Sequence, residues 1–117
     1  MKPVLVFVLC VSNFIFLKPV VSGENDKVLK SLSSLAGMAD YCIGMFGDAN
    51  DLQGYNRMMQ ENARISQYIA SLLSSEGEAD LARAARLDGL KHYQKSFSND
   101  LKACRNLIRT LSLYKTN

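Results

Sequence analysis

The chain has 117 residues, 48% hydrophobic and 21% charged, with a formal net charge of +3, which is room for one domain and too little for a multidomain enzyme. This composition excludes a disordered, fibrous or low-complexity chain, so a packed core is expected. Three cysteines, one histidine and no tryptophan leave scant material for a metal site or an aromatic cage.

Met1 and Lys2 form a short basic start, residues 4–17 are apolar apart from Ser12 and Asn13, and Val21, Ser22 and Gly23 are small or followed by small residues. That pattern is a cleavable secretory signal peptide over 1–23, cut after Ser22 or Gly23, leaving a single domain over 24–117. Lys18 and Pro19 close the apolar run short of the ~20 residues a membrane span needs, so no stable anchor is expected. Lipidation at Cys10 is discounted because the bulky Leu9 precedes it. Without the leader the chain carries 12 Lys+Arg against 11 Asp+Glu, a net charge of +1. The charge is polarised: residues 24–80 hold nine acids and four bases, and residues 81–117 two acids and eight bases.

A first helix is expected at about 26–46, because Val28, Leu32, Leu35, Ala39, Cys42 and Phe46, with Leu29, Ala36 and Ile43 beside them, recur at helical spacing. Asn25 or Asp26 caps its start and Gly44 with Gly47 provides left-handed positions to stop it. The acidic stretch that follows is turn chemistry. Counted as a calcium loop from Asp48, it puts Gln53 where glycine is required and Met59 where a chelating glutamate belongs, so that reading fails.

A second helix runs from Asp51 or Tyr55 to Ser74. Its apolar arc of Tyr55, Met58, Met59, Ala63, Ile65, Ile69, Leu72 and Leu73 is wide, as suits a helix wedged between neighbours. The alternative is a ligand-lining face made by Met58, Met59, Ile65 and Ile69, with methionine supplying adaptable surface. Ser75 and Glu78 have the spacing of a capping box that opens a third helix.

Two cysteines survive removal of the leader, and in an oxidising compartment Cys42 and Cys104 pair in the one way open to them. The apolar register Leu90, Tyr93, Phe97, Leu101, Cys104, Ile108, Leu111 also fits one helix about 57 Å long. In an up-and-down arrangement that helix would carry Cys104 about 15 Å past Cys42, beyond any disulfide. A turn at Ser98, Asn99 and Asp100, with Ser98 or Asn99 as cap, instead makes a fourth helix antiparallel to the first. The expected fold is all-α, a small up-and-down bundle of four helices clasped by one disulfide, with three helices and a long C-terminal one as the variant.

Catalytic signatures are missing: there is no phosphate loop, no HExxH, no CxxC and no GxSxG elbow, and His92 has no second histidine or free thiol near it in sequence. A non-enzyme without cofactor or metal is expected. Lys91 and Lys95, then Lys102, Arg105 and Arg109, form basic ridges at helical spacing. Without interleaved aromatics, and on a secretory route, they do not suit nucleic acid. Pairing with acids of the first half, such as Asp40, Asp48 and Glu61, is the plain account of these bases. The functional account is a partner surface at Lys102, Arg105 and Arg109 for another exported protein, periplasmic or extracellular, as in an inhibitor, immunity or adaptor module. A carrier of a small apolar ligand and a periplasmic stress chaperone are the other two readings.

Overall fold

A computed structural model describes the backbone over 3–114 and the side chains over 25–114. It consists of α1 (Pro3–Asp48), α2 (Leu52–Leu72), α3 (Glu76–Ser96) and α4 (Leu101–Ser112). The expected leader, 1–23, lies outside the residues whose side chains are described. Among the described residues, no helix is long and apolar enough to cross a membrane.

The helices run up, down, up and down. Phe46 meets Gly54 and Asp40 meets Asn62, so α2 returns antiparallel to α1. Ser34 meets Gly89 and Tyr41 meets Tyr93, so α3 is parallel to α1. Cys42 is bonded to Cys104 with a Cα–Cα distance of 5.5 Å, while Val28 and Tyr114 line one cleft, so α4 runs back along α1. The bundle is not a square of four: α1 packs against all three other helices, and α2 also meets α4. The expected four-helix, disulfide-clasped fold is therefore observed, with α1 as its spine.

The apolar periodicity explains the core. Leu29, Leu32, Ala36, Ala39, Cys42 and Phe46 of α1 are buried with Met58, Ile65 and Ile69 of α2 and with Cys104, Leu107 and Leu111 of α4. Val28, expected on the α1 stripe, is 46% exposed, because the centre of the stripe passes through Leu29 and Ala36. Helix α3 contributes little apolar area; its buried residues are Ala82, Gly89 and Tyr93. What replaces side-chain burial is proximity. A methyl group built on Gly37 would fall 1.8 Å from the Arg86 carbonyl oxygen, and one on Gly89 would fall 2.1 Å from the Ser34 carbonyl oxygen. The two glycines let the α1 and α3 backbones touch.

Several expected ends are corrected. In the full chain Asn25 and Asp26 do not cap α1, because its helical backbone runs through them and their neighbouring amides are already within the helix. Gly44 and Gly47 lie within α1, and the left-handed residue that turns the chain is Asn50, at φ 57°. An asparagine tolerates that region by bonding locally. Asp51 then caps α2 by accepting the Gly54 amide at 3.0 Å.

Ser75 caps α3 as expected, accepting the Glu78 amide at 3.1 Å, but Glu78 reaches back to the Ser74 amide, at 2.7 Å, one residue further than a standard capping box. Between α3 and α4, Asn99 has φ 59° and Asp100, not Ser98 or Asn99, is the cap, accepting the Ala103 amide at 3.0 Å. Asn99 is spent on the left-handed turn and cannot also take the extended backbone of a cap.

Candidate functional site

Helices α2 and α4 flank a surface cleft of about 350 Å³ lined by Arg57, Arg105, Arg109, Ile108, Asp51 and Gln53, among others. Its geometry follows from the fold around it. Gly54 must lack a side chain, since a methyl there would meet the Phe46 ring at 2.5 Å; the first turn of α2 thus lies directly on α1, and Arg57 projects one turn further along. On the other wall, α4 is pinned at both ends. Cys104 holds its start through the fully buried disulfide. Arg64 holds its end by donating to the Leu111 and Tyr114 carbonyl oxygens, each at 2.7 Å, as suits a cation at a helix C-terminus. Arg105 and Arg109, four residues apart, then present successive turns of a fixed helix to the cleft.

The charges of the cleft are largely unanswered. Arg105 reaches the Asp51 carboxylate at 3.5 Å in an exposed pair, too loose and too wet to hold it strongly. No carboxylate of the described residues pairs with Arg57, Arg109 or Lys102. Asp51, the one acid lining the cleft, also serves as the α2 cap. Planar guanidinium forks above the partly apolar floor of Ile108 suit carboxylates carried on a chain with some apolar character.

The residues expected from sequence divide. Lys102, Arg105 and Arg109 are all exposed on α4, and Arg105 and Arg109 meet in the cleft while Lys102 stands outside it. Arg57 joins them and was missed; it lies on α2, far away in sequence, and no spacing rule links it to α4. Met58, Ile65 and Ile69 are packed into the core, whereas Met59 is 45% exposed on another side of α2. His92 is exposed, and among the described residues no three His, Cys, Asp or Glu side chains group as metal ligands.

Among the described residues, Arg105 with Asp51 is the one ion pair between the ridge bases Lys91, Lys95, Lys102, Arg105 and Arg109 and an acid of the first half; Asp40 and Glu61 pair with other arginines. Arg86 grips Asp40 bidentately, at 2.6 and 2.8 Å, and also bonds Asn62 at 3.1 Å and Ser66 at 3.2 Å. The hydrogen bond to Asp40 raises the Arg86 pKa further above its usual value, against the opposing effect of burial. Arg64 pairs with Glu61 and Arg83 with Asp80. Asn62 is the centre of the network, donating to Asp40 at 2.8 Å and accepting from Ser66 at 2.9 Å. It falls on the same α2 register as Met58, Ile65 and Ile69, a polar residue on an apolar stripe and the one signal of the network that the sequence offers. No protein-family profile matches the chain, and neither curated proteins nor solved structures returned a match.

Proposed function

We propose that the protein is an exported, non-catalytic binding module that holds an acidic segment of another exported protein in the cleft between α2 and α4. The observation that carries this reading is the convergence of Arg57, Arg105 and Arg109 from two helices on one cleft with a single acid in its lining. Such an arrangement favours a partner of opposite charge and speeds its encounter at low salt. Export is supported by the leader pattern of 1–23 together with the Cys42–Cys104 disulfide, a bond that persists in oxidising compartments.

The test is capture from an extract of exported proteins on immobilised protein, comparing the wild type with the Arg57→Ala, Arg105→Ala, Arg109→Ala triple variant and with Lys102→Ala. A partner lost with the triple variant and weakened by salt, but kept by Lys102→Ala, supports the cleft. Undiminished retention by the triple variant removes the cleft from the account.

A further inference from the structure

Asp51 is the one acid in the lining of the arginine cleft, and its place is fixed by the turn it belongs to. Its backbone amide donates to the Phe46 carbonyl oxygen and its own carbonyl accepts the Tyr55 amide, both at 2.9 Å. Its Oδ1 accepts the Gly54 amide at 3.0 Å as the cap of α2. The carboxylate is thus anchored on one wall, with Oδ2 turned to the other, where Nη2 of Arg105 stands at 3.5 Å.

Arg105 is therefore only loosely satisfied. A guanidinium closes on an unconstrained carboxylate to about 2.7–2.9 Å, often through two parallel bonds, and Arg86 does so with Asp40 at 2.6 and 2.8 Å. Asp51, held by the cap, stands off at the longer distance and leaves most of the Arg105 donors unspent. Both groups are within reach of solvent: the Arg105 side chain is 57% exposed and that of Asp51 26%. An incoming carboxylate can take Arg105 without breaking the cap, and Asp51 remains hydrated when it does.

The geometry points to Asp51 as a built-in competitor that restricts the cleft to ligands with clustered carboxylates. This rests on the reading of the cleft as the site of an acidic segment, and it names the chemistry of that segment: two or more carboxylates about 6 Å apart, the spacing of Arg105 and Arg109 on successive turns. The first carboxylate meets Arg109 and Arg57, which have no acid to displace. The second, carried on the same chain, arrives at an effective concentration in the millimolar range and replaces Asp51 at Arg105. A lone carboxylate has no such tether and stops at the two free arginines, so Asp51 discriminates against it.

The test uses protein purified from cells expressing the full chain, with the guanidinium N–H signals followed by NMR. Deca-glutamate blocked at both ends is the clustered probe, and a single glutamate blocked at both ends is the lone one. At about 0.1 M salt, where charges more than ~10 Å apart are screened, deca-glutamate should shift Arg57, Arg105 and Arg109, and the single glutamate Arg57 and Arg109 alone. Asp51→Asn keeps a capping oxygen and hence the melting temperature. It should tighten deca-glutamate about fourfold, the value of an exposed ion pair, and let the single glutamate reach Arg105. Asp48→Asn removes an equal charge from an exposed position three residues away and outside the cleft lining, and should change affinity less than about twofold. With Arg105→Ala in place, the gain from Asp51→Asn should shrink to that of Asp48→Asn. The inference is overturned by unchanged deca-glutamate affinity in Asp51→Asn, by an equal gain from Asp48→Asn, by a gain that survives Arg105→Ala, or by the single glutamate shifting Arg105 in the wild type; shifts at Arg57 and Arg109 then leave the cleft itself standing. Deca-glutamate that shifts none of the three arginines overturns the cleft reading along with it.

Discussion

Replacing Gly37 by alanine should destabilise the protein although alanine is the better helix former. Alanine in place of glycine inside a helix normally stabilises by about 0.5–1 kcal/mol. At Gly37 the new methyl would meet the Arg86 carbonyl oxygen at 1.8 Å, with the Leu90 nitrogen at 2.9 Å, and both are backbone atoms that cannot rotate away. Restoring ordinary contact at 3.4 Å requires α1 and α3 to part by about 1.6 Å locally. A radial gap of about 0.5–1 Å already forfeits a quarter to a half of a dispersion contact, and α3 has few buried side chains to compensate.

Overpacking of this kind costs about 1–3 kcal/mol and occasionally more. After subtraction of the propensity gain, a net loss of about 2 kcal/mol is expected. Gly44 lies in the same helix with nothing within 4 Å of a built methyl, so Gly44→Ala is the internal control and should stabilise by the full propensity gain of about 0.5–1 kcal/mol. Urea unfolding followed by circular dichroism reads both as shifts in midpoint at constant slope. If Gly37→Ala raises the midpoint as Gly44→Ala does, the α1–α3 backbones are not in contact and the account of the fold is wrong.

Changing both Cys42 and Cys104 to serine should cost about 4 kcal/mol in the chain-entropy estimate for a loop this long, read by urea unfolding; two free thiols on the denatured, unreduced protein would refute the bond itself. Arg86→Ala removes four hydrogen bonds that join α1, α2 and α3. With the Arg86 and Asp40 side chains 36% and 30% exposed, water replaces part of the loss, so about 1–2 kcal/mol is expected; a change near zero would mean the network is fully screened. Tyr93 donates to the Ala103 carbonyl at 3.0 Å, and burial, helped by the charge of Asp100, raises its pKa. The folded state therefore favours the neutral phenol, and its contribution to stability is complete below pH about 10 and is lost as pH rises through the raised folded value. Tyr93→Phe should flatten this alkaline fall in stability, measured as melting temperature against pH; an unchanged profile would assign the fall to another group.

The helices, their buried faces and the single cysteine pairing were legible because each depends on residues close in sequence or on simple parity. Apolar side chains three and four apart must share a face, and Ser75 with Glu78 closes a turn within one segment. The break between α3 and α4 was also accessible, since the disulfide excluded a continuous helix. Gly44 and Gly47 show where local reading misleads: glycine is permissive of the left-handed region, but permission does not compel it, and Asn50 and Asn99 make those turns instead. At Gly37 and Gly89 the same residue type has no local purpose, and its role appears only against a backbone some fifty residues away. Tertiary structure alone likewise joined Arg57 to Arg105 and Arg109, centred Asn62 between Asp40 and Arg86, and set Asp51 against Arg105. Helix periodicity determines which face of a segment turns inward, but which atoms then meet depends on the distance and stagger between helices, set by the packing of all four at once.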